Sequence, residues 1–105
     1  MSCVDCEDLT ILVGSQRVFN VDLTTDGGLP VGTGVGDITL TAADDMLNTD
    51  VSGTVVPSGS VVQVTGNVVT IKVKADAVRE RVLVTLGYTN SIATPGRQRW
   101  GFKFE

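Results

Sequence analysis

Cys3 and Cys6 in the stretch CVDC have the two-residue spacing of redox dithiols and of half a zinc site. A redox pair of that kind needs a helix N-terminus to lower the thiol pKa, whereas this pair precedes a strand-like run. A structural zinc needs four ligands, and a chain with two cysteines and no histidine offers two. Asp44, Asp45 and Asp50 form an acidic stretch, but without the alternate-position ligands and closing glutamate of the best-known calcium loop. The run GGLPVGTGVG, residues 27–36, has the glycine content of a phosphate cradle. No helix pattern and no Lys-Ser/Thr follows it, so it reads as a loop that orders against a partner. The absence of histidine removes the commonest general base, and no nucleophile–base pair stands out. The expectation is a non-enzymatic protein with no cofactor and no bound metal.

The remaining chemistry is charge. Residues 1–52 carry nine acidic side chains against Arg17 alone, a charge of −8, and residues 53–105 carry three acids against seven bases, a charge of +4. Those bases are Lys72, Lys74, Arg79, Arg81, Arg97, Arg99 and Lys103. If the strands at 68–74, 80–89 and 97–105 are neighbours, their outward positions merge into one basic face. The chain as a whole is acidic, at −4, and no aromatic residues are interleaved to stack on bases, so nucleic acid is not the expected target. An acidic surface on one copy or neighbour meeting a basic face on another accounts for both halves. The seven bases are therefore the candidate partner-binding residues.

The elements that position them are short strands. Eighteen valines and 13 threonines stand against eight leucines, a β-branched excess that suits pleated strands. Apolar residues alternate at Leu9, Ile11 and Val13, at Phe19, Val21 and Leu23, and at Ile38, Leu40 and Ala42. Val62 and Val64 alternate before Gly66-Asn67, a favoured hairpin dipeptide, and Val69, Ile71 and Val73 alternate after it. Val82, Val84, Leu86 and Tyr88 line one face of a long strand, and Trp100, Phe102 and Phe104 one face of the last. Residues 24–36 read as a long, mobile loop, and DDMLNTD as a connection with room for one helical turn. No amphipathic helix, no membrane-length apolar run and no secretory leader is apparent. The expected fold is all-β: an antiparallel immunoglobulin-like sandwich of about seven to eight strands over residues 9–105, with a small barrel as the rival and residues 1–8 as a flexible arm. The closing aromatics read as core, and exposure of Tyr88 and Trp100 would instead point to a carbohydrate- or ligand-binding adhesin-type module.

The stretches FNVDLTTDGGLPVGTGVGDITLTA, VVQVTGNVVTIKVKA and RVLVTLGYTNSIATPGRQRWGFKF resemble the small β-sandwich virion proteins of tailed bacteriophages, in particular fibre–tail adaptors and head or tail accessory proteins. The shared order is an apolar strand, a glycine-containing segment, a strand starting at GDI, a Gly-turn hairpin, and a glycine–arginine turn into an alternating final strand. The tryptophans of the early part of that pattern are missing, Trp100 lying near the other end, and CVDC has no counterpart in it. The resemblance implies a structural component of a virion, made in the bacterial host cytoplasm. It also implies many copies in a symmetric or homo-oligomeric assembly, bound to other virion proteins of the tail, neck, fibre adaptor or capsid decoration and to no membrane.

Overall fold

A computed structural model describes residues 9–24 and 27–105 of the chain, so the expected arm at 1–8, with Cys3 and Cys6, lies outside the described residues. Eight strands are present: β1 (Leu9–Ile11), β2 (Gln16–Asp22), β3 (Thr39–Asp44), β4 (Thr49–Asp50), β5 (Val61–Thr65), β6 (Val68–Lys74), β7 (Arg79–Thr89) and β8 (Pro95–Phe104). They form a five-stranded sheet in the order β1-β8-β7-β3-β4 and a separate three-stranded sheet in the order β2-β6-β5. Two packed sheets without closure make the protein an all-β sandwich and not a barrel. Among the described residues, β1 with β8 is the single parallel pair. A short α-helical turn, α1 (Ser52–Val55), follows the DDMLNTD connection instead of lying inside it, and a 3-10 turn spans Val35–Asp37 at the end of the glycine-rich loop.

The apolar alternation builds the interior. Val69, Ile71 and Val73 of β6 and Val82, Val84 and Leu86 of β7 are all fully buried. Phe102 and Phe104 are the largest fully buried side chains. Phe19 crosses from the three-stranded sheet to meet Phe102, with ring centroids 5.5 Å apart and tilted by 56°. Partly buried Phe19, Leu40 and Trp100 pack against both halves of the core and join them. Each such aliphatic or aromatic side chain stabilises the fold by about 1.5–3 kcal/mol through area removed from water.

Two expectations need correcting. Val62 does not share an inward face with Val64: the pairing shifts between Val61 and Gln63, and this bulge leaves Val61 and Val64 against the core and Val62 exposed. The glycine-rich loop is also fastened at its start. Gly66, at φ 60°, leads a two-residue turn that puts Asn67 beside the loop. The Asn67 carbonyl accepts from Leu23 N at 2.8 Å, and its Oδ1 accepts from Leu29 N at 2.9 Å. Leu29 is buried in the core, while Val31 at the tip stands wholly in solvent.

Candidate protein-docking face

β7 and β8 pair from Val82↔Phe102 to Thr89↔Pro95, and β3 pairs with β7 from Thr39↔Gly87 to Asp44↔Val82. The even-numbered residues of β7 and β8 point into the core, so the odd-numbered ones form the outer surface. Two rows run across the three strands: Thr41, Thr85 and Arg99, then Thr39, Gly87 and Arg97. Together with Asp37, Thr89 and Pro95 they line a shallow depression of about 550 Å³. Gly87 keeps its floor low, because a Cβ there would collide with Thr39 Oγ1, which donates to the Gly87 carbonyl at 3.3 Å. Neither Arg97 nor Arg99 has an ion-pair partner among the described residues.

The other five bases do not join this pair as one free basic face. Lys72 and Lys74 belong to β6, which pairs with β2 and β5, so they project from the opposite layer of the sandwich. Arg81 and Lys103 lie on the same outer surface as Arg97 and Arg99 but are ion-paired, Arg81 with Asp45 at 3.7 Å and Lys103 with Glu105 at 3.5 Å. Arg79 is structural. Its guanidinium binds Asp44 at 3.0 Å and Asp76 at 2.8 Å, and it is largely shielded from solvent. The partners and burial of these carboxylates explain their acidity. Hydrogen bonds from Arg79, then Thr54, hold Asp76 down to about 2 against the cost of burial. The Leu47 amide, with Arg79 and the Met46 amide, outweighs burial to hold Asp44 below the usual carboxylate range.

The acids show the same economy. Asp44 and Asp76 serve Arg79, Asp45 serves Arg81 and Glu105 serves Lys103. Asp22, Asp37 and Asp50 accept local bonds from Thr24, Gly34 and Ser52. Among the described residues only Glu80 lacks a partner, so the calcium reading of Asp44, Asp45 and Asp50 meets carboxylates already engaged. No group of three or more His, Cys, Asp or Glu side chains converges among the described residues. None of the five aromatic rings is exposed: Tyr88 is buried and Trp100 is packed against the core, which leaves a stacking platform without rings.

Sequence reasoning missed Thr39, Thr41, Thr85 and Asp37 as the setting of Arg97 and Arg99. The signal was available in the outward positions of DITLTA and RVLVTLGYT, which alternate with the core residues already recognised. No protein-family model, curated protein or solved structure matches the chain.

Proposed function

We propose that the protein is a non-enzymatic structural component of a tailed-phage virion that docks onto neighbouring virion proteins. The observation that carries this reading is the outer face of the five-stranded sheet. It offers two arginines without acidic partners among the described residues, set among threonine hydroxyls in an open depression instead of an enclosed cavity. A shallow polar face with unpaired charge suits docking of a protein surface, where charge sets register and partner choice. Apolar side chains support the same conclusion. Leu12, Met46, Leu47 and Val78 are each more than 60% exposed. The register of β1, β3, β7 and β8 brings their segments to one end of the sandwich. Large apolar side chains gathered at a surface mark contact with other proteins.

The experiment is incorporation into particles. Virions assembled with the wild-type chain should contain it at a fixed copy number. The double variant Arg97→Glu, Arg99→Glu should enter at roughly a tenth of that level or less, the loss expected when charge pairs at an interface become repulsive. A wild-type chain absent from purified particles sinks the reading. Undiminished entry of the double variant removes this face from it.

A further inference from the structure

Strand β2 is the longest of the outermost strands: seven residues, Gln16–Asp22, paired with β6 in one unbroken register. Along that length its second edge has no backbone partner among the described residues. The ladder fixes which groups point there. Just before the strand Ala75 N donates to Ser15 O, and just after it Leu23 N donates to Asn67 O. Both bonds continue the β2–β6 register, so Arg17, Phe19 and Val21 are the residues bonded to β6. The N–H and C=O of Gln16, Val18, Asn20 and Asp22 therefore turn away from β6.

The other outermost strands are blunted. β1 has three residues and β4 two, and β5 is bulged between Val61 and Gln63. Short strands and bulges are usual means of stopping strand addition. β2 has neither. Its one charge on the core-facing side, Arg17, lies along its own strand over the Phe19 ring, 5.7 Å from the centroid.

We propose that β2 pairs antiparallel with β2 of a second copy of this chain across a two-fold axis, joining two three-stranded sheets into one of six. Complete overlap of the seven residues puts the axis at Phe19. The bonded pairs are then Gln16 with Asp22 and Val18 with Asn20, the parity that the outward-turned groups require. The side chains fit this register. Val18, 59% exposed, meets Val18 of the other copy diagonally across the axis. Phe19, only partly buried within one chain, meets the other Phe19 on the core side.

Charge runs along this edge from basic to acidic. Lys74 lies beside Gln16 on β6 and has no ion-pair partner among the described residues. Asp22 lies at the other end, and Thr24 bonds only its Oδ1. Antiparallel pairing sets Asp22 of one copy in the row of Gln16 and Lys74 of the other. The Cα atoms of that Asp22 and Lys74 are then two strand spacings apart, about 10 Å, which a lysine side chain leaning towards a carboxylate spans. The contact occurs twice, and no like charges are opposed. The edge complements its own reverse, which favours a second copy over an unrelated strand. The β5 bulge opposes β2-to-β5 joining, so the pairing closes as a dimer instead of running on as a filament. The inference goes beyond the docking function and does not depend on it, because Arg97 and Arg99 lie on the other sheet.

The test begins with sedimentation of the full chain under reducing conditions. The mass should be twice 11.0 kDa at high concentration and fall to 11.0 kDa on dilution. Amide exchange at Val18 and Asn20 should slow as the dimer forms, and exchange at Phe19, bonded to β6 in either state, should change less. Val18→Lys should raise the dissociation constant at least about tenfold. It should leave thermal unfolding of the dilute monomer unchanged, because Val18 stands in solvent there. In a Cys3→Ser, Cys6→Ser background, oxidation should cross-link Val18→Cys chains to Asn20→Cys chains faster than either to itself, since bonded pairs have Cα atoms about 5.5 Å apart. A mass of 11.0 kDa at every concentration overturns the inference. So does a dimer indifferent to Val18→Lys, or one dissociated by Arg97→Glu with Arg99→Glu, which would belong to the docking face. Absence from particles with the dimer intact removes the function proposed above and leaves this inference standing.

Discussion

Arg79 holds Asp76 by two parallel bonds, Nε to Oδ1 at 2.9 Å and Nη2 to Oδ2 at 2.8 Å, and reaches Asp44 Oδ2 with Nη1 at 3.0 Å. Thr54 Oγ1 adds a 2.7 Å bond to Asp76, so the start of β7, the end of β3 and α1 are tied at one point. A bidentate arginine–carboxylate contact is among the stronger charge-assisted arrangements.

This contact predicts an acid-sensitive fold. The folded pKa of Asp76 is lowered to about 2, so its stabilisation is complete above the unfolded value near 4 and is lost as pH falls through the folded one. Asp44, also lowered, adds in the same direction. Urea unfolding should show a loss of about 2 kcal/mol from Asp76 on going from pH ~5 to pH ~2. Asp76→Asn should lower stability at neutral pH and flatten that dependence. An unchanged pH profile in this variant would show that the contact contributes nothing.

Removing the arginine should cost more than removing a surface partner. Arg79→Met leaves Asp44, 2% exposed, without its counter-charge, and breaking a shielded pair in this way costs about 3–5 kcal/mol. Lys103→Met breaks a 3.5 Å pair whose members are about half exposed, for which less than about 1 kcal/mol is expected. Denaturant midpoints of the two variants separate the cases.

The bulge in β5 predicts an asymmetry between Val62 and Val64, two residues apart on the strand. Val62→Asp should change stability by no more than about 0.5 kcal/mol, because the side chain stands in solvent. Val64→Asp places a carboxylate against the core and should cost more than about 3 kcal/mol or abolish folding. Equal tolerance at both positions would contradict the shifted pairing.

Asn67 is expected to govern the glycine-rich loop. Asn67→Ala removes the acceptor of the Leu29 amide and should cost about 1–3 kcal/mol. Hydrogen exchange at Leu29 should accelerate well beyond exchange at Val69, whose side chain is fully buried and whose strand is paired on both sides.

The β7–β8 turn contains a strained alanine. Ala93 sits at φ 61°, a left-handed conformation that glycine adopts freely. Ala93→Gly should therefore raise stability by about 0.5–1 kcal/mol, since relieved strain exceeds the added freedom of the unfolded chain. A lower melting temperature in this variant would show that the turn carries no such strain.

The parts of the fold that were legible beforehand are those set by local periodicity. Val69, Ile71 and Val73, then Val82, Val84, Leu86 and Tyr88, then Phe102 and Phe104, face inward as their alternation requires. Gly66-Asn67 turns the β5–β6 hairpin because glycine tolerates the positive φ that the turn demands. Strand pairing is another matter. Lys72 and Arg97 alternate equally well along their own strands, yet β6 joins β2 and β5 while β8 joins β7 and β1, so the two cations end on opposite layers.

The chain alone determined that its β-branched alternations would make an all-β protein with one buried face per strand, because side-chain direction in a strand depends only on position along it; that the strands form two open sheets was decided by the tertiary structure. Tertiary structure decided which charges remain available. Asp44, Asp76 and Arg79 lie up to 35 residues apart and meet only through strand pairing, while Arg97 and Arg99 are left on the outer face of the five-stranded sheet without ion-pair partners among the described residues. Such pairings link distant segments, and the energy that selects among them comes from burying both sheets at once, a quantity no local pattern contains.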